Sequence, residues 1–198
     1  MASLKPPNRR FPLVKHDPET SSADSREDDV PSEPLQRITF MWQWITEREP
    51  VYFDSVLRDH LVPVSAALNP TDRNRATSTF LLKVPRSLCN GGGNLHGGAV
   101  ALIFDLLTSL TVGVCAREGF WDSGHVSRNL NCTYIRPAPE GSEVLVESDV
   151  IHLGKTMCVL SGVMRMKDTG KICYVCEHGK VKVDGYKLPE NDKEASKL

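Results

Sequence analysis

The sequence predicts an α+β domain in which one antiparallel sheet wraps a single long apolar helix. Three observations predict it. Residues 98–114 form an almost uninterrupted apolar run with the length and composition of a buried helix. Two β-like runs precede that run and four follow it. The breaks between runs are short and rich in Gly, Pro, Asn and Asp, as connections between antiparallel neighbours are. Strand, strand, helix, four strands is a two-layer α+β order.

In chain order, residues 1–33 are rich in Pro, Ser and charge without apolar periodicity and predict a disordered arm. Residues 34–58 predict a helical extension. Within it, residues 35–48 place Leu35, Ile38, Trp42 and Ile45 on one helical face, with Ser32 and Pro34 as the start signal. This helix is read as a lid or packing element, with substrate contact by Phe40, Trp42 or Trp44 left open, and residues 53–57 as a short second turn. Residues 59–184 form the main domain. Its strands are expected at 60–68 and 74–84, split by the turn cluster 69–72, then at 126–135, 143–153, 156–166 and 171–183. Strict alternation over 126–135 places Ser127, Asn129, Asn131 and Thr133 on one face. Residues 185–198 are a polar, flexible tail.

The chemistry concentrates in residues 90–110, NGGGNLHGGAVALIFDLLTSL. Gly91, Gly92 and Gly93 leave room for a ligand and feed a buried helix. The first helical N–H groups, around His96, Gly97 and Gly98, lack intrahelical partners and suit an oxygen that is becoming negative. The helix carries one charge, Asp105, nine residues after His96 and roughly 13 Å along the axis. An unpaired carboxylate among apolar residues is costly to bury, so Asp105 must meet a polar partner, a cavity or another subunit.

Asn90, Gly93, Leu95-His96-Gly97-Gly98, Asp105, the SRNLNCTY run over 127–134, the following IRPA, and Gly154-Lys155-Thr156 together resemble the hotdog-fold acyl-CoA thioesterases. The resemblance is strongest to the phenylacetate-type group that includes thioesterase superfamily member 2, and it covers residues 53–183. It implies hydrolysis of acyl-CoA to a free acid and coenzyme A, with no cofactor or metal. It also implies roles. The Gly97 amide polarises the thioester carbonyl, Asp105 acts as general base or nucleophile, Asn90 orients water or carbonyl, and His96 and Ser127 flank the sulfur and the water. Gly98, Asn131, Tyr134, Arg136, Gly154, Lys155 and His178 are the implied substrate contacts. The working unit is implied to be a homodimer or homotetramer that shares each site between subunits. Plainer roles stay open: a helix cap for His96, a turn residue with left-handed backbone for Asn90, a cross-sheet bond for Ser127. The long N-terminal extension, the enlarged loop 117–124 and Arg136 depart from the group's pattern, in places where acyl selection is set.

Other classes are disfavoured. With 198 residues and a formal net charge of -1, bulk electrostatics gives no hold on nucleic acid. No apolar run reaches a membrane span by this reading, and no secretory signal opens the chain. The six cysteines lack the second Cys-x-x-Cys pair of a zinc site, so Cys173 and Cys176 are read as reduced core residues. The P-loop pattern fails because Asp149 stands where its first Gly is needed, and no Gly-x-Ser-x-Gly elbow occurs. A non-catalytic acyl-CoA-binding or scaffold protein on the same fold is the alternative function. Ser196-Lys197-Leu198 matches the tripeptide read by the peroxisomal import receptor, which gives the peroxisome as the expected location. Cytoplasm or mitochondrion is the alternative, the latter from four early cations (Lys5, Arg9, Arg10, Lys15) interrupted by prolines.

Overall fold

The computed structural model describes residues 31–46 and 53–183. The expected arm, the flexible tail, the mitochondrial echo and Ser196-Lys197-Leu198 lie wholly or almost wholly outside those residues.

Helix α1 spans Pro34–Thr46. Pro34 suits the first helical position because its missing N–H would have had no partner there. The cap is Glu33 and not Ser32: its carboxylate accepts the Gln36 N–H at 3.0 Å. Ser32 lies one residue too early to reach that amide. α1 buries Ile38, Met41 and Trp42, and the Trp42 ring meets Phe80 edge-on at 5.9 Å. It is therefore a packing helix, with Trp42 spent on the core. A single 3-10 turn, Phe53–Leu57, follows as expected.

The sheet contains β1 (Leu61–Leu68), β2 (Ala76–Lys83), β3 (His125–Tyr134), β4 (Glu143–Leu153), β5 (Met157–Met166) and β6 (Ile172–Lys182). Its order is β1-β2-β4-β5-β6-β3, antiparallel throughout. Helix α2, Gly97–Cys115, lies across one face. By length and composition α2 could cross a bilayer, which corrects the expectation that no run is long enough. Here its surface is taken up by the sheet: Ile103, Phe104, Leu107 and Leu110 pack with Phe80, Leu82, Val146, Val150 and Leu160 in one core. Each such burial stabilises by about 1.5–3 kcal/mol.

Period-2 alternation positions these inward residues. β4 turns Val144, Val146 and Val150 to the helix until a bulge at Ile151 resets it. Gly162 of β5 sits where a Cβ would come within 2.6 Å of the Phe104 ring and 2.7 Å of Cys176 Sγ. Since Phe104 is fully enclosed, Gly162→Ala is expected to cost about 1–3 kcal/mol by overpacking, read as a lower urea midpoint at unchanged slope.

Among the described residues strand β3 bonds only to β6 and forms one edge of the sheet. That edge carries the site.

Candidate active site

The site begins with a fault in β3. Ser127 pairs with Lys180 of β6, but the next registered pair is Asn129 with Gly179. Arg128 is the extra residue of a β-bulge. Below it Leu130, Cys132 and Tyr134 face the helix, opposite His178, Cys176 and Tyr174. The bulge turns Ser127 to that same face and leaves Asn129, Asn131 and Thr133 outside. Strict alternation is therefore wrong at Ser127, and the error matters: the bulge delivers its hydroxyl to the acid on α2.

Ser127 Oγ donates to Asp105 Oδ1 at 2.5 Å. His178 Nε2 lies 3.3 Å and Lys180 Nζ 4.0 Å from the same oxygen. Lys180 Nζ also donates to Ser127 Oγ at 2.9 Å. All three neighbours gather on Oδ1, while the Asp105 side chain keeps 45% of its surface exposed. Oδ2 is the open oxygen, with no hydrogen-bond partner among the described residues. His178 was expected to touch coenzyme A; it is 0% exposed, so it cannot. Its place is behind the carboxylate.

The hydroxyl bonds around His178 place a proton on its Nδ1. Thr108 Oγ1 donates to the Phe104 carbonyl at 2.6 Å, so at its 2.7 Å contact with His178 Nδ1 it accepts. His178 thus carries a proton on Nδ1, and its Nε2 lies 3.0 Å from Ser127 Oγ and 3.3 Å from Asp105 Oδ1. Burial holds its pKa down at about 4, with Lys180 adding to the depression and Asp105 opposing it. Burial, then Lys180 and His178, pushes His125 down to about 3. Groups depressed on folding contribute stability above the unfolded value near 6.5 that is lost as pH falls through the folded value. The melting temperature should therefore drop between about pH 6.5 and pH 4, with a shallower drop in His178→Gln, in a pH series of thermal melts.

The second half of the site is the turn before α2. Asn90 Oδ1 accepts the N–H groups of Gly92 at 2.9 Å and Asn94 at 3.3 Å, closing the glycine-rich loop. The left-handed residue there is Gly93, φ 74°, and not Asn90. The Asn90 amide nitrogen remains as a donor. His96 is the N-cap: its Nδ1 accepts the Gly98 N–H at 2.9 Å. The cap places the ring proton on Nε2, so a cap and a donor coexist in one side chain. It also occupies the Gly98 amide and leaves that of Gly97 at the helix head. Tyr134 Oη donates to the Gly97 carbonyl at 3.0 Å. A Cβ on Gly97 would meet that ring only at ordinary contact, 3.4 Å, so packing does not require glycine here.

The remaining expected contacts separate. Arg136 donates to the Ile172 carbonyl at 2.9 Å, tied to the sheet beyond β3. Asn131 pairs with Glu177 on the outer face and cannot reach Asp105 of its own chain. Gly154 and Lys155 do line a cavity of about 270 Å³ on that face, with Arg128, Asn129 and His152. Asn129, not Asn131, is the asparagine there. Its side chain lies across Gly179, where a Cβ would be 2.3 Å from Oδ1. Trp121, buried with φ 58°, ties the enlarged loop to this turn through Nε1 and the Gly154 carbonyl at 2.7 Å.

One long helix crossed by six antiparallel strands, with a glycine turn at its head and an acid at mid-length, defines a hotdog-fold protein. The Thioesterase superfamily profile matches residues 92–173. Acyl-coenzyme A thioesterase 13 of Mus musculus is 31% identical over 99 residues, 50% of this chain and 68% of that protein, and the Homo sapiens protein matches to the same extent. The crystal structure of thioesterase superfamily member 2 from Mus musculus aligns with a TM-score of 0.62 at 26% identity, covering 75% of this chain and 97% of that one. The zebra fish member 2 structure gives 0.64 at 25%, covering 76% and 99%. The chain belongs to the thioesterase superfamily.

Proposed function

We propose that the protein hydrolyses acyl-CoA thioesters to a carboxylic acid and coenzyme A, at sites assembled between two copies of the chain. The observation that carries this is Asp105 itself: a half-exposed carboxylate on an otherwise apolar helix, gripped on Oδ1 by Ser127 and backed by Lys180, with Oδ2 open. Oδ2 takes a proton from water as the water oxygen bonds to the thioester carbon. The carbonyl electron pair moves onto its oxygen, which the Gly97 N–H and the Asn90 amide stabilise. As the C–S bond breaks, the departing thiolate meets His96 Nε2–H.

Gly97 and Asp105 of one chain are eight residues apart, or about 12 Å of helix rise. One carbonyl cannot be served by both, because the reacting atom must lie within about 3 Å of nucleophile and oxyanion donor alike. β3 supplies the remedy. One end holds Ser127 on Asp105, and the other holds Tyr134 on Gly97. Its free edge offers unpaired backbone groups, with Val126 and Tyr134 exposed along the strand. Antiparallel pairing of β3 with its copy about a two-fold axis sets each Ser127 end against the other Tyr134 end. That apposes the acid of one protomer and the amide of the next. The nucleotide end is assigned to the cavity that Arg128 and Lys155 line, whose cations suit phosphate. The peroxisomal location is proposed on Ser196-Lys197-Leu198 alone; an N-terminal fluorescent fusion should lose its puncta when those three residues are deleted.

Thiol release from a panel of acyl-CoAs tests the function. Turnover of at least one is expected; binding of acyl-CoA without thiol release would make this a non-catalytic carrier. Lys180→Met should lower kcat about 10- to 100-fold, because a charge-assisted bond that aligns Ser127 is lost. Steady-state kinetics on the best substrate of the panel checks this.

A further inference from the structure

Far from Asp105, at the C-terminal end of α2, the chain encloses a cavity of about 320 Å³ between that end and the start of α1. Three arginines line it, Arg37, Arg73 and Arg117, against one acid, Glu118. Arg37 is only 6% exposed. One of its nitrogens, Nη2, donates to the Ala116 carbonyl at 2.7 Å, while its Nε has no hydrogen-bond partner among the described residues. Among the described residues no ion pair reaches Arg37, Arg73 or Arg117 either. Arg117 is fixed in place by the Cys115 carbonyl at 3.2 Å, by Asn74 Oδ1 at 3.1 Å and by stacking over Phe120 at 4.0 Å.

Carbonyls at a helix end present about half a negative charge. They answer part of one arginine and not three. A buried guanidinium with an open donor is expensive unless an anion completes it. We infer that this cavity binds a small oxyanion, a phosphate or carboxylate group held by Arg37, Arg73 and Arg117. Its volume lies at the low end of the ~300–1,000 Å³ of ligand pockets, which suits a diphosphate or a short carboxylic acid and excludes a whole acyl-CoA. Leu68 and Val114 give it apolar walls for a short chain. Such an anion can arrive free or from the chain itself, since Glu27, Asp28 and Asp29 precede the lining residue Ser32 by only a few positions in sequence.

Titration calorimetry of the full chain with inorganic pyrophosphate and with octanoate tests the site. The variants are Arg73→Ala, which is exposed and leaves the fold alone, Arg37→Met, and the triple change Glu27→Gln, Asp28→Asn, Asp29→Asn. Saturable binding of one probe is expected, weakened about tenfold by Arg73→Ala, with thiol release from acyl-CoA unchanged. Tighter binding in the triple variant than in the wild type identifies the chain's own acids as the competing oxyanion; equal binding identifies a free ligand. No saturable binding in either wild type or triple variant, or binding indifferent to Arg73→Ala, overturns the assignment. Should Arg37→Met fail to fold, Arg73→Ala decides alone.

Discussion

Asp105→Asn should abolish most thiol release, lowering kcat on the order of 10²–10⁴-fold while acyl-CoA still binds. The substitution keeps the size of the side chain and lets Ser127 Oγ still donate to Oδ1. It removes only the open oxygen's capacity to take a proton from water, or to attack. The fold should survive, because the side chain is half exposed and its size is unchanged. Lys180 loses the carboxylate that lies 4.0 Å away, so a modest fall in melting temperature accompanies the kinetic loss. Rates retained within a few-fold of wild type would remove Asp105 from the chemistry. Activity is read by thiol release and binding by calorimetry on the same preparation, which separates lost catalysis from lost affinity.

Gly97→Pro should lower kcat about 10²–10³-fold, the typical cost of one oxyanion donor, with little change in stability. A backbone amide is seldom removable without breaking its helix, but here the geometry permits it. Gly97 is the first residue of α2, where proline is well tolerated. His96 before it sits at φ -66°, ψ 138°, the extended backbone that a following proline requires. A Cβ at Gly97 meets Tyr134 at ordinary distance. Gly97→Ala is the control: it keeps the N–H and adds the same Cβ, so it should retain far more activity than the proline variant. Equal losses in both would trace the effect to bulk in the cleft and not to the amide.

Much of this was legible in the sequence because it rests on local pattern. The apolar run gave α2 within a residue or so of Gly97–Cys115, and β-like runs bounded by turn residues located all six strands. Asp105 was conspicuous as the only charge on that helix. What stayed hidden depends on register. Nothing local announces the extra residue Arg128, yet that bulge carries Ser127 to the acid. Lys180 was missed although a signal existed. In ICYVCEHGKVK, His178 and Lys180 fall in phase with Tyr174 and Cys176, on the buried face, while Glu177 falls outside. Two basic residues on the core face of a strand call for a carboxylate opposite. The same count would have withdrawn His178 as a coenzyme A contact. Asn131 shows a related limit: a match to a motif does not say which face of the sheet a residue occupies, and here it is the outer one.

The central claim is that each site takes its amide from one protomer and its acid from the other. Co-expression of differently tagged Asp105→Asn and Gly97→Pro chains, followed by purification through both tags, tests it most directly. Each variant alone is nearly dead, but a mixed dimer contains one site with both changes and one with neither. The split site predicts recovery of about half the wild-type rate per mixed dimer, from its single intact site. A mixed dimer no more active than its parents would contradict the account and return both groups to a site within one chain.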